Sequence, residues 1–232
     1  MTYRLHIGNR NYSSWSLRPW VLMRVLGIDF EAVQHFFAEG SNAAAFREFS
    51  PSGTVPCLHD GALAVWDSLA IVEYLAERHD GVWPEDATAR AWARCAAAEM
   101  HSGFATLRGV CGMNCGLRVR LHAVSAALGQ DIARIDALWC DGLERFGGPF
   151  LAGAAFSAAD AFFAPVVFRV QGYGLALSTP AMAYVARMLA LPAMREWYDA
   201  ALAETQREAG HEAEVLSHGT IIADLRATVP GA

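Results

Sequence analysis

Tyr12-Ser13-Ser14-Trp15-Ser16-Leu17-Arg18 places two hydroxyls, Ser13 and Ser14, where a short strand hands over to a helix. Free backbone N–H groups and the positive end of the helix dipole point out of such a turn, so an anion, a thiolate included, is stabilised beside it. A serine there has a plainer use as the helix N-cap, and local pattern alone favours that use. Asp67-Ser68 poses the same choice at a second predicted helix start. The acid and the hydroxyl either cap that helix or receive a ligand end of opposite charge pattern, as a zwitterionic amino acid presents. His101 is a further acid or base by type, although a lone helical histidine is more often structural.

The elements that must hold these residues follow from periodicity. Tyr3, Leu5 and Ile7 alternate with Arg4 and His6, the period of a half-buried strand over residues 2–8. Leu17, Val21 and Val25, with Leu22 and Leu26 beside them, share one face of a helix over 15–27, stopped by Gly27, with Pro19 fitting its first turn. Residues 30–37 read as a second strand, which makes a right-handed βαβ unit with parallel strands. A polar, alanine-rich connection over 38–49 has room for a helical turn or two. Segments 55–59 and 62–66 flank Asp60-Gly61, a hairpin signal, with Pro56 at an edge or a bend. Leu69, Val72, Leu75 and Ala76 then form a helix face, capped by Asp67 or Ser68 and ended by Gly81.

Residues 81–86 break the pattern and read as a linker. Everything beyond reads helical: 88–107, 118–128, 131–146, 161–173, 182–189 and 192–204, the fourth opened by the capping signature Ser157-Ala158-Ala159-Asp160. From Thr205 the chain is polar with little periodicity apart from Ile221-Ile222. The expectation is an α/β domain over residues 1–81 and an all-α domain over 87–232 with a polar C-terminal tail.

Composition narrows the classes. Of 232 residues 54% are hydrophobic, enough for a substantial core, and 24 acids against 18 bases leave a net charge of −6. Every base is arginine and none forms a basic run, which argues against nucleic acid as partner. No signal core and no membrane-length apolar run is present. Five cysteines, an odd number without zinc spacing, fit a cytoplasmic chain with reduced thiols and no metal, and the Cys111/Cys115 pair reads as packing. Phe162, Phe163 and Phe168 read as core.

With these residues in hand, the chain resembles the cytosolic glutathione transferases. Tyr12-Ser13-Ser14-Trp15-Ser16-Leu17-Arg18 is similar to the zeta-class pattern Ser-Ser-Cys-Ser-x-Arg. Ser50-Pro51-Ser52-Gly53-Thr54-Val55-Pro56-Cys57-Leu58 resembles Asn-Pro-x-x-x-Val-Pro-x-Leu, and Trp66-Asp67-Ser68-Leu69-Ala70-Ile71 resembles acid-or-glutamine, Ser, x, Ala, Ile. Phe156-Ser157-Ala158-Ala159-Asp160 is similar to the family's helix-capping motif. The resemblance spans about residues 3–204 and implies a thioredoxin-like N-terminal domain, an all-α C-terminal domain, and glutathione as co-substrate. It implies a homodimer that adds the glutathione thiol to a small hydrophobic electrophile, with no membrane or nucleic-acid partner. Ser13, with Ser14 in reserve, would donate to the thiolate. Thr54 and Val55, before a cis Pro56, would offer backbone to the tripeptide, and Asp67 and Ser68 would take its γ-glutamyl end. A maleylacetoacetate isomerase of the zeta type and a non-catalytic scaffold are the alternatives.

Three departures qualify the resemblance. Trp15 stands where the zeta class has cysteine, which weighs against the isomerase. With no cysteine at the helix start, disulfide exchange is disfavoured as well. Gly53 stands where several classes place a cation for the glycine carboxylate, so either Arg18 or His35 substitutes or that end is weakly held. The electrophile pocket is expected between the domains, with 99–104 and 108–114 as candidate walls.

Overall fold

The computed structural model describes residues 2–228. The first alternating segment is strand β1 (Tyr3–Ile7), followed by helix α1 (Ser14–Val25) and strand β2 (Phe30–Gln34). β2 lies parallel to β1, with Tyr3 opposite Phe30 and Ile7 opposite Gln34. A short helix α2 (Ala43–Phe46) leads to β3 (Cys57–Asp60) and β4 (Leu63–Val65), which pair antiparallel as the Asp60-Gly61 signal requires. Helix α3 (Ser68–Ala76) follows, and the sheet order is β2-β1-β3-β4. β2 ends earlier than expected, so Phe36 and Phe37 leave the sheet.

Pro19 is not in the first turn of α1 but lies inside the helix, five residues after Ser14. Proline has no N–H, so the Trp15 carbonyl one turn earlier loses its usual intrahelical donor. The helix is kept by burial: Leu17, Trp20, Val21, Leu22 and Met23 are all fully enclosed. Full burial of side chains this size contributes roughly 1.5–3 kcal/mol each, which offsets one missing bond.

The second half contains α4 (Ala87–Ser102), α5 (Ala105–Val110), α6 (Ala126–Phe146), α7 (Ala158–Tyr173), α8 (Thr179–Ala190) and α9 (Pro192–Ala203). α7 is buried along nearly its whole length and packs against α1, joining the two halves. The continuous helix expected over 88–107 is broken at Gly103, where a Cβ would lie 2.7 Å from the Glu99 carbonyl, and Phe104 turns the chain with φ 55°.

The helix expected over 118–128 is absent. Leu117-Arg118-Val119-Arg120-Leu121 is strand β5 (Leu117–Leu121), and its alternation of apolar residues with arginine has period two. Its partner β6 (Gly219–Asp224) lies in the tail, behind a further helix α10 (Ala209–His218). The helical half therefore carries a two-stranded antiparallel sheet, with an irregularity between Arg118 and Val119.

The start of α7 bears out its signature. Asp160 is fully buried and accepts from the Ser157 N–H (2.9 Å) and Oγ (3.3 Å), the Leu151 N–H (3.0 Å) and the Tyr184 hydroxyl (3.0 Å). Burial nonetheless raises its pKa to about 6.

His6 of β1, His35 just after β2 and His59 of β3 meet beside Phe49. His6 Nδ1 lies 2.9 Å from His35 Nε2, and the two rings stack. Burial, with His59, His35 and Arg4 nearby, pushes the His6 pKa down to about 4. The unfolded chain binds this proton more readily, so the His6 contribution is complete above pH 6.5 and lost as pH falls toward 4. Its limit is on the order of 3 kcal/mol. Asp160, with its raised pKa, pulls the opposite way over part of this range. The clean readout is therefore the difference between wild type and His6→Phe in urea denaturation from pH 7 to 4. The variant is expected to show the shallower acid loss, and parallel curves would contradict the assignment.

Candidate active site

The serine turn is built by close approach. Ser13 occupies the N-cap position of α1, yet its side chain makes no cap bond. Its Oγ donates to Ser16 Oγ at 2.7 Å, and Ser16 Oγ also accepts the Gly8 N–H at 3.1 Å. A Cβ on Gly8 would sit 2.6 Å from Phe37 and 3.0 Å from the Ser13 Cβ, so only glycine lets the end of β1 pass this near. The loop before the serines is held from the other half. The Glu204 carboxylate accepts the Arg10 N–H (2.6 Å), the Asn11 N–H (3.2 Å), Asn11 Nδ2 (3.2 Å) and Gln34 Nε2. Tyr12 donates its hydroxyl to Glu212 at 2.7 Å, and burial and this carboxylate raise its pKa. Its proton is already committed, so the phenol is a poor rival to the serines as a thiol donor.

Ser13, Ser14, Trp15, Thr54, Val55, Pro56 and Asp67 line one cleft of about 750 Å³. The Val55–Pro56 peptide bond is cis, as the resemblance implied, and so is Trp66–Asp67. Asp67 caps α3, accepting the Leu69 N–H at 2.9 Å, lines the cleft, and meets His101 Nε2, outside the lining, at 3.3 Å. Ser68 sits behind it, fully buried, its hydroxyl without a protein partner. Of the residues expected to hold the thiol, the backbone or the γ-glutamyl end, only Ser68 does not line the cleft.

The opposite side of the turn is cationic. Trp15 is covered by Arg18 at 4.1 Å and Arg108 at 5.5 Å, and His101 meets its edge at 5.2 Å. Arg18 is 1% exposed, also lies over Phe162, and has no partner for Nε or Nη1. Burial pushes its pKa down to about 9, Arg169 and Arg108 add to the shift, and Asp67 opposes it. Arg169 is pushed to about 10 by burial and donates Nε to the Cys111 carbonyl at 2.7 Å. Within a low-dielectric wall these like charges stabilise an anion brought among them. Arg18 and His35 do not serve as expected: neither lines the cleft, Arg18 being shut between Trp15 and Phe162 and His35 being stacked on Phe49. Of the expected walls, 99–104 contributes nothing to the lining, whereas Arg108, Gly112 and Met113 do line it.

Ser16, Arg169 and His211 were not read from the sequence as site residues. Arg169 could have been, as the one charge between Ala161 and Tyr173 of a buried helix. Ser16 looked like a helix residue, and His211 lies in a tail without periodicity.

Residues 12–78 match the family model for the glutathione S-transferase N-terminal domain, and 77–200 match that for the C-terminal domain. Glutathione S-transferase 1 of Dianthus caryophyllus is 27% identical over 184 residues, covering 75% of this chain and 81% of the relative. A probable maleylacetoacetate isomerase of Vibrio cholerae is 28% identical over 204 residues, covering 81% and 91%. Among solved structures, a Burkholderia glutathione transferase homolog with bound glutathione superposes with a TM-score of 0.65 at 22% identity, over 87% of this chain and 98% of that one.

Proposed function

This chain belongs to the glutathione S-transferase family, and we propose that it ionises the glutathione thiol at Ser13 and adds it to a small electrophile. The carrying observation is that Ser13 stands at a helix start without capping it. Its hydroxyl is paired instead with Ser16, which is backed by the Gly8 N–H. With a thiolate in the cleft the pair can turn, Ser16 donating to Ser13 and Ser13 to sulfur. One charge-assisted bond and the helix end together are of the size needed to lower a thiol pKa by a unit, about 1.4 kcal/mol. Ser14 lines the same cleft without that backing and remains the reserve donor.

The rest of the tripeptide finds matching chemistry. Val55, before its cis proline, offers backbone to the cysteinyl unit, beside Thr54. Asp67 suits the γ-glutamyl ammonium, and the buried, unpartnered Ser68 hydroxyl at the first turn of α3 suits the carboxylate. We assign the thiol-binding half to residues 1–81 and the wall of the electrophile pocket to 87–232. A cytoplasmic homodimer is part of the same reading. Among the described residues no helix is long and apolar enough to cross a membrane.

A second reading, a glutathione-dependent isomerase of an acidic substrate, is favoured by one observation: Arg108 and Arg169 line the cleft beside Trp15. Trp15, in place of the zeta-class cysteine, weighs against it.

Retention on immobilised glutathione, followed by turnover of a generic aryl halide, tests the main reading. Binding without turnover would leave a scaffold. Ser68→Ala is expected to weaken glutathione binding by roughly 1–3 kcal/mol, the loss of a bond to a charged group. Unchanged affinity in calorimetric titration, with the fold intact, would reduce Asp67 and Ser68 to caps.

A further inference from the structure

One end of the cleft is walled by Phe37, Ser41, Asn42, Ala43 and Gly53, with Gly53 against Ala43. With the γ-glutamyl end at Asp67 and Ser68 and the sulfur at Ser13, the glycine carboxylate points to this end. Three basic side chains line the cleft among the described residues: Arg108, Arg169 and His211. Arg108 is on the wrong side. Its Nη1 donates to the carbonyl of His101, whose ring pairs with Asp67. Arg169 is anchored beneath α5 by the Cys111 carbonyl. His211, from α10, is alone at the other end. Its ring stacks on Phe37 with centroids 5.5 Å apart and on Tyr12 at 4.8 Å.

We infer that the C-terminal helix completes the glutathione site, with His211 binding the glycine carboxylate; this rests on the orientation proposed above. Nδ1 of His211 lies 2.6 Å from Glu208 Oε2, so the ring is fixed from behind. With Nδ1 turned to Glu208, Nε2 is the ring nitrogen left to serve the ligand. Phe37 and Tyr12 hold the ring plane between them. Of the other acids of α10, Glu212 is spent on Tyr12 and Arg226, and Glu214 lines the cleft with its Oε2 3.7 Å from where a Cβ on Gly112 would stand. The tail thus supplies the carboxylate-binding side chain that Gly53 does not.

The test compares glutathione with its glycine amide, in which the carboxylate becomes an uncharged carboxamide. Calorimetric titration is run on wild type, His211→Gln and His211→Arg of the full chain. Wild type is expected to bind the amide at least about tenfold more weakly, the scale of one charge-assisted bond. His211→Gln is expected to bind both ligands within about twofold of each other, and His211→Arg to restore the preference. General damage to the fold weakens both ligands alike and leaves their ratio unchanged. A His211→Gln protein that discriminates as wild type does, or a wild type that does not discriminate, overturns the assignment. A wild type that binds no glutathione overturns the underlying reading and this assignment with it.

Discussion

Ser13→Ala is expected to raise the pKa of bound glutathione by about one unit or more and to lower kcat/KM for conjugation roughly ten- to a hundredfold. Tripeptide affinity should change much less, because the hydroxyl touches only the sulfur. Stability should hardly move. An N-cap serine lost to alanine costs about 1 kcal/mol, but the Ser13 side chain makes no cap bond. Ser14→Ala is expected to leave the thiol pKa near wild type. Ser16→Ala should fall between them, since it removes the group that Ser13 pairs with and leaves the donor. Thiolate absorbance against pH, with conjugation rates alongside, distinguishes the cases. A raised pKa in Ser14→Ala and not in Ser13→Ala moves the assignment by one residue. No rise in either removes the serine mechanism.

Asp160→Ala is expected to cost about 3–4 kcal/mol of stability, a large effect for one polar side chain. The carboxylate gathers four donors from three segments: Leu151 N–H, Ser157 N–H and Oγ, and Tyr184 Oη. Removing it leaves two buried backbone N–H groups and a fully buried tyrosine hydroxyl unpaired, at the start of the helix on which α1 packs. Its pKa, raised to about 6, shows that burial of the charge is costly even with those partners. The variant's urea midpoint should fall with the slope unchanged. A loss below about 1 kcal/mol would mean that water replaces the carboxylate.

Local rules made the first half legible. Alternation at Tyr3–Ile7, the face Leu17-Val21-Val25 and the Asp60-Gly61 turn each act within a few residues, and the structure keeps them. The second half was harder where pairing is distant. Leu117–Leu121 alternates with period two over only five residues, and its partner, Gly219–Asp224, lies about a hundred residues away. Between the two strands the described residues are mostly helical, so the local surroundings of each strand favour helix. Pro19 was misplaced because tertiary burial of α1 outweighs a missing backbone bond. At the site, Ser13, Thr54, Val55, Pro56 and Asp67 lay in recognisable short motifs, and the structure brings them to one cleft. Arg108 lay in an expected wall, whereas Arg169 and His211 reach that cleft through the packing of α7 and α10.

The most direct test of the central claim is the ultraviolet absorbance of glutathione thiolate bound to the wild-type protein, titrated from pH 5 to 10. The account predicts an apparent pKa at least one unit below the ordinary thiol value of about 8.5. A bound thiol that titrates like the free one, with glutathione demonstrably in the cleft, would contradict it.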